Sequence, residues 1–371
     1  MQDRAQSVGA ATNPQLHDES RLDIYRRFIF FAFESMVQSL SPSVSQSVHA
    51  TVSRDPLVSV IIPNYNHAIY LRRRIESVLA QTFQDFEIIF MDDASTDDSV
   101  AVARQWLPSD RTRFLLNEKN TRIPFRQWNT GMAVARGQFV WIAESDDFAA
   151  PSFLEKTVRV MRERASVGVV YAQSWMVNER DATLCSLLVH TDDLSSERWR
   201  SDFFNKGRSE CQDYLCLRNT IPNASACLVR KSVYLEAGMA PVHLRQCGDW
   251  LHWINMLLHS DLYYLAEHLN HFRKHERSVR SSMEKSAEEL VEVYQVLAFL
   301  AERVSLSPEK HERSCHITFQ RWRALAGPFK PSASWLRNQL RVYRKARKFD
   351  GAITRRITSL NFRFPTTAVP A

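Results

Sequence analysis

The sequence is poor in residues that mark several common protein classes. It has 9 glycines in 371 residues and no glycine-rich loop after its first apolar segment, which argues against a phosphate-binding loop of that kind. No apolar run approaches the roughly 20 residues of a transmembrane helix, and the acidic N-terminal region lacks a signal-peptide core. The six cysteines form no CxxC pair, so we expect reduced, mostly buried thiols and a cytoplasmic protein.

Positive charge is concentrated near the C-terminus. The formal net charge is +7, but residues 310–356 hold 13 Lys/Arg and only 2 Asp/Glu, so the remainder of the chain carries a net charge of −4. Trp322, Trp335, Leu336 and Leu340 interleave with these basic residues. This pattern suits an interfacial helix on an anionic membrane surface, and a solvated helical extension is an equal alternative. Nucleic-acid binding has only the charge in its favour, because no binding motif accompanies it.

The hydrophobic pattern divides the chain into three segments. Residues 1–54 form a prefix with a candidate helix at 24–40 and a serine-rich linker. Residues 55–281 alternate between apolar strands and amphipathic helices, and residues 282–371 form a basic, helical extension. Alternation of this kind predicts an α/β fold with a mostly parallel sheet flanked by helices. The stretch 169–269 is less regular, with helices predicted at 231–237 and 249–259.

Polar residues follow three of the predicted strands. The strand 58–62 leads into Pro63-Asn-Tyr-Asn66, and the strand 86–91 is followed by Asp92 and Asp93. The strand that begins at Phe139 is followed by Glu144-Ser-Asp-Asp147. Ligands of parallel sheets bind beyond the carboxyl ends of the strands. Three carboxylates within four positions repel one another, so they favour a bound cation, and oxygen ligands suit Mg²⁺ or Mn²⁺. A solvated acidic turn that caps the next helix is the alternative.

Five ordered blocks between residues 57 and 280 resemble glycosyltransferase family 2, whose members have the GT-A fold. They read VSVIIPNYNHAIYLRRRIESVLAQT, FEIIFMDDASTDDS, NTGMAVARGQFVWIAESDD, CGDWLHWINML and FRKHERSV. The resemblance implies a Rossmann-like nucleotide half, about 55–150, joined to an acceptor half, about 151–281. It also implies inverting, Mn²⁺- or Mg²⁺-dependent transfer of a sugar from a nucleotide-sugar donor, with UDP favoured. The acceptor would be a glycan or a lipid-linked molecule in cell-surface polysaccharide synthesis.

The same resemblance assigns roles to individual residues. The nucleotide-sugar-binding residues would be Pro63, Tyr65, Asn66, Asp92, Asp93, Arg136, Glu144, Ser145 and Asp146. The metal ligands would be Asp146, Asp147 and His275, the catalytic base Asp249, and the acceptor-side residues Asn223, Ser225 and Trp250. The chain has Glu144 where the family's acidic motif begins with Asp, and Ala94 where glycine is frequent. Each assignment has a structural alternative, such as a turn or helix cap for Asp92, Asp93, Arg136 and Asp249.

Two other classes of protein remain open at this point. A sugar nucleotidyltransferase shares the sheet type, but it would need a glycine-rich basic loop where this chain has Asn-Tyr-Asn-His. A catalytically silent nucleotide-sugar-binding or scaffold protein would be expected to have lost Asp146 or Asp249, and both are present. We therefore predict an active transferase.

Overall fold

The computed structural model describes residues 55–275, 286–326 and 332–358. The predicted helix at 24–40 and the serine-rich linker lie outside these residues, as does the end of the last sequence block. The predicted domain borders, including the division near residue 150, stay predictions.

Within the described part of the chain, one mixed sheet of ten strands forms the centre of the fold. The strands are β1 (Val58–Asn64), β2 (Phe86–Asp92), β3 (Thr112–Leu116), β4 (Phe139–Ile142), β5 (Phe148–Ala149), β6 (Val167–Val177), β7 (Thr183–Ser186), β8 (Phe203–Asn205), β9 (Cys227–Arg230) and β10 (Asp261–Arg273). Their order is β3-β2-β1-β4-β9-β6-β10-β5, with β7 beside β6 and β8 beside β10. The ladders of β1 with β2 and β4, of β2 with β3, and of β6 with β10 are parallel. The antiparallel β9 connects β4 to β6, so all six of these strands point the same way.

Helices cover both faces of the sheet. They are α1 (Ala68–Leu79), α2 (Ser99–Trp106), α3 (Pro124–Val134), α4 (Phe153–Glu163), α5 (Gly207–Glu210), α6 (Lys231–Glu236), α7 (Gly248–His259), α8 (Ala287–Ala301), α9 (Pro308–Ala326), α10 (Ala333–Phe349) and α11 (Ile353–Thr358). The apolar residues of α1 recur at the helical period, and Leu71, Ile75 and Val78 are fully buried. Helix α3 begins at Pro124, and proline suits the first turn of a helix.

The two longest strands lie in the region that the sequence predicted to be less regular. β6 has 11 residues and β10 has 13, and they pair in parallel over most of their length. Their ladder contains register shifts, including one between Leu265 and His268. Such irregularities break the strict alternation of side chains by which a strand is detected in a sequence.

Alternate residues of the central strands feed two hydrophobic clusters. Val60 and Ile62 point into the cluster beneath α1, α2 and α4, whereas Ile61 belongs to the cluster on the other face with α3 and α7. Residues of α8 to α11, including Tyr294 and Val342, are buried in that second cluster. Helices α8 to α11 therefore contribute to the hydrophobic core on this face of the sheet.

Two further expectations concern membrane spans and thiols. Across the residues that the structure describes, no helix has the length and apolarity needed to cross a membrane. All six cysteines are free, and all except the half-buried Cys185 are buried.

Candidate active site

A large open cleft lies at the carboxyl edge of the sheet, beyond the ends of β1, β2, β4 and β10. Because these strands point the same way, their polar terminal residues meet there, as expected for an open α/β sheet. The predicted site residues that line the cleft are Pro63, Tyr65, Asp93, Glu144, Ser145, Asp146, Asp147, Asn223, Asp249 and Trp250. The fold thus brings together residues that are up to 187 positions apart in the sequence.

The carboxylate turn, residues 144–147, begins with a glutamate that is bound to the protein on three sides. The Glu144 carboxyl accepts a hydrogen bond from Trp128 Nε1 at 2.7 Å, and its backbone N–H donates to Ser225 Oγ at 3.1 Å. Its carbonyl oxygen accepts from Arg74 Nε at 2.8 Å. Burial and the nearby Asp146 carboxylate raise the pKa of Glu144 to about 8. Ser225, predicted on the acceptor side, is fully buried and supports this turn instead.

Asp147 ties the carboxylate turn to two distant segments. Its Oδ1 accepts from the backbone N–H of Arg273 at 2.8 Å, and its Oδ2 accepts from Asn223 Nδ2 at 3.0 Å. Burial, followed by the charge of Asp146, raises the pKa of Asp147 to about 6. Both oxygens thus accept hydrogen bonds from the protein, and the assignment of Asp147 as a metal ligand stays a prediction. Asn223, predicted to contact the acceptor, has its amide bound to Asp147 and to Ser225 N.

His67, Asp146 and His275 form a cluster, the His–Asp–His cluster, that can hold a metal ion. Their ligand atoms all lie within 4.8 Å of one another. His275 Nε2 is 3.0 Å from Asp146 Oδ2, and His67 Nδ1 is 2.8 Å from Ser145 Oγ. Burial opposes ionisation of Asp146, but its hydrogen bond to His275 and the charges of both histidines outweigh burial, so its pKa is lowered.

The His–Asp–His cluster changes the predicted ligand set. The sequence predicted Asp146 and His275, but it missed His67, although this residue follows Asn66 in the polar segment after β1. One carboxylate and two imidazoles are a chemically plausible donor set for a divalent ion. Imidazole suits transition-metal ions better than Mg²⁺, which prefers oxygen ligands.

Asp92 and Asp93 shape the wall of the cleft where a nucleotide was predicted. Asp92 accepts hydrogen bonds from Asn64 Nδ2 at 2.8 Å and from Ser95 N at 2.8 Å. The Asp93 carboxylate accepts hydrogen bonds from Asn117 Nδ2 at 2.7 Å and from Thr121 N at 3.0 Å. Asp93 lines the cleft, whereas Asp92 is not among the lining residues. These bonds hold the loops after β2 and β3 in place.

The loops after β1 and β2 contain two residues with positive φ. Asn66, which has φ 54°, accepts a hydrogen bond from Thr96 N at 2.7 Å, so it fixes the loop after β2 and is not among the cleft-lining residues. Ala94 has φ 60°, a left-handed conformation that costs a residue with a Cβ roughly 1–2 kcal/mol. This conformation gives a physical reason for the glycine preference noted at this position.

Arg136 lies at the opposite edge of the sheet, before the amino end of β4. Its backbone N–H donates to Glu87 Oε1 at 2.8 Å and its Nε donates to Glu87 Oε2 at 2.8 Å. Burial would raise the pKa of Glu87, but hydrogen bonds from Arg136 and Ser59 outweigh it and lower the pKa. Arg136 is not among the residues that line the cleft, and its contact with phosphate or sugar stays a prediction. The cleft is lined instead by other arginines that the sequence did not single out, namely Arg122, Arg218, Arg245, Arg273 and Arg321.

Asp249 projects from the first turn of α7 and is half-buried in the cleft. Its Oδ2 accepts from Asn219 Nδ2 at 3.0 Å, and its Oδ1 accepts from Trp250 N at 2.7 Å. Trp250 is buried, and its Nε1 donates to the Leu215 carbonyl at 3.1 Å, so it anchors the start of the helix. A Cβ on Gly248 would lie 2.3 Å from the ring of Phe125, so only glycine permits this approach of α7 to α3.

The C-terminal helices supply one wall of the cleft, which we call the far wall. Its residues are Glu289, Leu290, Val293, Ile317, Arg321, Ala324 and Leu325. Glu292 of α8 accepts the backbone N–H groups of Arg245, Gln246 and Cys247 at 2.8–2.9 Å, which ties α8 to the segment before Asp249. Neither the charge nor the hydrophobic pattern predicted that these helices reach the site.

Comparison with known proteins agrees with this architecture. Residues 59–236 match the sequence model described as glycosyl transferase family 2. The chain is 31% identical over 183 residues to chondroitin synthase of Escherichia coli, covering 44% of this chain and 26% of that protein. It is 30% identical over 130 residues to a GalNAc(5)-diNAcBac-PP-undecaprenol beta-1,3-glucosyltransferase of Campylobacter jejuni, covering 35% of this chain and 41% of that one. The chain thus spans less than half of either relative.

Solved structures show the same fold at low sequence identity. The crystal structure of S. aureus TarS 1–349 in complex with UDP-GlcNAc superposes with a TM-score of 0.62 and 20% identity, covering 82% of this chain and 83% of that one. This likeness identifies the fold as GT-A, as predicted. Together with the sequence match over residues 59–236, this likeness makes the chain similar to glycosyl transferase family 2.

Proposed function

We propose that the protein is an inverting, metal-dependent transferase that moves a sugar from a UDP-sugar onto a cell-surface glycan or its lipid-linked precursor. The observation that carries this proposal is one cleft lined both by Asp146 of the His–Asp–His cluster and by Asp249. Such a cleft has one candidate group to hold the leaving diphosphate and another to accept the acceptor's proton. A silent binding protein has no need for the second.

The donor would bind at the carboxyl ends of β1, β2 and β4. Tyr65 is 43% exposed in the cleft and offers a flat ring to a base, and Asp93 lies on the same wall. The UDP-GlcNAc complex of TarS supports a UDP-sugar as the first donor to test, since the two chains share a fold. The particular sugar is left to experiment.

The metal site would consist of His67, Asp146 and His275. These residues would hold a divalent ion, whose Lewis-acid chemistry would be to offset negative charge on the departing diphosphate. The donor set favours Mn²⁺ over Mg²⁺ because two of the three ligands are imidazoles.

Asp249 would act as the general base. The acceptor hydroxyl oxygen bonds to the anomeric carbon while the bond from that carbon to the diphosphate oxygen breaks. The hydroxyl proton passes to Asp249, and UDP leaves with the bonding electrons. Attack opposite to the leaving group inverts the anomeric centre. Asn219, which donates to Asp249 at 3.0 Å, would hold the carboxylate in position.

The acceptor would enter between Asp249 and the far wall. The far wall combines apolar side chains such as Leu290 and Ile317 with the Arg321–Glu289 ion pair, which suits an acceptor with apolar and polar parts. The undecaprenol-linked substrate named for the Campylobacter relative supports a lipid-linked acceptor.

A lipid-linked acceptor favours peripheral contact with an anionic membrane, for which α10 offers a surface. Leu336 and Leu340 are 53% and 45% exposed, and exposed Arg337, Arg344 and Lys348 flank them on the same helix. Other basic residues of the extension form ion pairs within the protein, as Arg341 does with Glu288 at 3.2 Å. We therefore assign the membrane contact to the exposed face of α10 and not to the whole basic segment.

A donor screen tests the proposal. Purified protein with Mn²⁺ is incubated with UDP-, GDP- and dTDP-sugars, with and without lipid-linked acceptors, and nucleotide release is measured. We expect release from a UDP-sugar that depends on acceptor and metal, and its loss in Asp146→Asn. UDP binding without acceptor-dependent release would favour a silent binding protein. Release of pyrophosphate from UTP and a sugar phosphate would instead identify a nucleotidyltransferase.

A further inference from the structure

Arg74 is a fully buried cation that lies behind the carboxylate turn. It belongs to α1, its side chain has no exposed surface, and its Nε donates to the Glu144 carbonyl at 2.8 Å. The guanidinium carbon lies 5.4 Å from the centre of the Trp141 ring. No role for this residue follows from the family resemblance or from the donor and acceptor sites described above.

Hydrogen bonding alone does not account for the position of Arg74. Its Nη1 and Nη2 are buried and have no hydrogen-bond partner among the described residues. Leaving buried donors unpaired is unfavourable. By contrast, Arg273 holds the Asp146 carbonyl through Nε at 2.7 Å and also bonds Asn178 and Asp181. Two of the three guanidinium nitrogens of Arg74 are thus without hydrogen bonds among the described residues. The electrostatic interactions of its positive charge must therefore explain its position.

Those charge partners are the acids of the carboxylate turn. Asp147, Asp146 and Glu144 all favour the cationic form of Arg74, although burial lowers its pKa to about 10. At that pKa the guanidinium stays charged at neutral pH. The adjacent Asp146 and Asp147 carboxylates repel one another, and a fixed cation beneath them offsets the repulsion before any ion binds. The same cation repels a metal ion held by Asp146.

We propose that Arg74 is a positioning residue, a built-in counter-cation that keeps the carboxylate turn folded without metal and limits the affinity of the protein alone for a divalent ion. An ion held weakly by the protein would bind more firmly only when the diphosphate of a nucleotide adds its own ligands. This inference rests on the proposed metal site at the His–Asp–His cluster.

The test compares Mn²⁺ binding in the absence of nucleotide, followed by the electron paramagnetic resonance signal of free Mn²⁺. The proteins are the full-length wild type, Arg74→Gln, Arg74→Lys and Arg72→Gln. Arg74→Gln removes the charge but keeps an N–H donor, and Arg74→Lys keeps the charge. Arg72 is the matched control because it lies on the same helix, is exposed and pairs with Glu76.

We expect Arg74→Gln to bind Mn²⁺ at least about threefold more tightly than wild type, because a like charge near the ion is removed. Arg74→Lys and Arg72→Gln should stay within about twofold of wild type. The direction of the change in Mn²⁺ affinity separates this role from simple structural damage, since a distorted carboxylate turn would bind the ion more weakly. Equal or weaker binding in Arg74→Gln overturns the role of Arg74. Absence of Mn²⁺ binding in both wild type and Arg74→Gln, even with UDP added, overturns the proposed metal site itself.

Thermal unfolding provides the second measurement. Arg74→Gln should unfold at a lower temperature than wild type without metal, and saturating Mn²⁺ should raise its Tm by more than it raises that of wild type. If the variant is recovered only as unfolded protein, production with Mn²⁺ in the medium and buffers should restore a folded form. Failure of Mn²⁺ to restore it contradicts the proposal.

Discussion

His275 Nε2 lies 3.0 Å from Asp146 Oδ2, although 129 positions separate the two residues in the chain. The two reach one another because β4 and β10 point the same way and end at the same edge of the sheet. Around this pair the structure adds His67 from the end of β1. The residues that follow three different strands thus form one candidate metal site.

Replacing His67 by alanine should weaken Mn²⁺-dependent UDP binding at least roughly tenfold, because an ion loses one of three protein ligands. The measurement is UDP titration by calorimetry at fixed Mn²⁺. His243→Ala, an exposed histidine that is not among the cleft-lining residues, serves as the control. If His67→Ala bound UDP with wild-type affinity, His67 would not be a metal ligand, and only the predicted ligands would remain as candidates.

Asp249→Asn should lower kcat by about 10²–10⁴-fold while leaving UDP-sugar affinity nearly unchanged, since it removes the proton acceptor but not the donor site. Steady-state kinetics and donor titration measure the two effects separately. Asn219→Ala should reduce kcat less, because Asn219 only orients the base. An Asp249→Asn enzyme with normal turnover would leave Asp249 with the role of a helix cap.

Gly248→Ala should destabilise the protein by about 1–3 kcal/mol, because its Cβ would overlap the ring of Phe125. Any relief of that overlap moves the start of α7 and hence Asp249, so kcat should fall more than donor affinity. Chemical denaturation and kinetics provide the readout. The control is Gly351→Ala, where a Cβ meets nothing within 4 Å. Equal behaviour of the two variants would contradict the role of this helix contact.

Arg136→Gln should lower stability by roughly 1 kcal/mol and leave nucleotide binding intact, because Arg136 pairs with Glu87 away from the cleft. The pKa of Glu87 is lowered in the folded protein, so its interactions contribute stability above the ordinary pKa of glutamate. This contribution is lost as the pH falls through the lowered pKa. The difference in stability between wild type and variant should therefore be present at pH 7 and shrink in acid. A loss of UDP affinity instead would support the prediction of a phosphate ligand.

Reversing three charges on α10, with Arg337→Glu, Arg344→Glu and Lys348→Glu combined, should reduce binding to anionic vesicles by roughly 100-fold or more at low salt. Vesicle binding is measured by co-sedimentation with vesicles of anionic and of neutral lipid. Added salt should weaken the binding of the wild-type protein to anionic vesicles. The matched control reverses exposed Arg104, Arg159 and Arg162 on α2 and α4. Deletion of the whole extension is a poor test, because α8 to α11 contribute to the hydrophobic core. Equal sedimentation of the two triple variants would contradict contact through α10.

The sequence by itself determined the α/β class, the positions of the first strands along the chain and the presence of acids at their ends. These features are local: apolar runs fix β1, β2 and β4, and the residues that follow each strand share its end of the sheet. It also revealed the resemblance to glycosyltransferase family 2, because five such blocks in one order seldom arise together by chance. The identities of Asp146 and Asp249 as candidates followed directly from those blocks.

Only the tertiary structure decided which of these residues face the cleft. Ser225 carries a suitable hydroxyl group, but it is fully buried and accepts a hydrogen bond from the backbone of Glu144. Arg136 has the right charge but lies at the wrong edge of the sheet, which depends on the strand's direction and not on its own neighbours. Contacts between segments far apart in the chain place His67, Arg74 and the far wall near the site. A single sequence does not reveal such contacts.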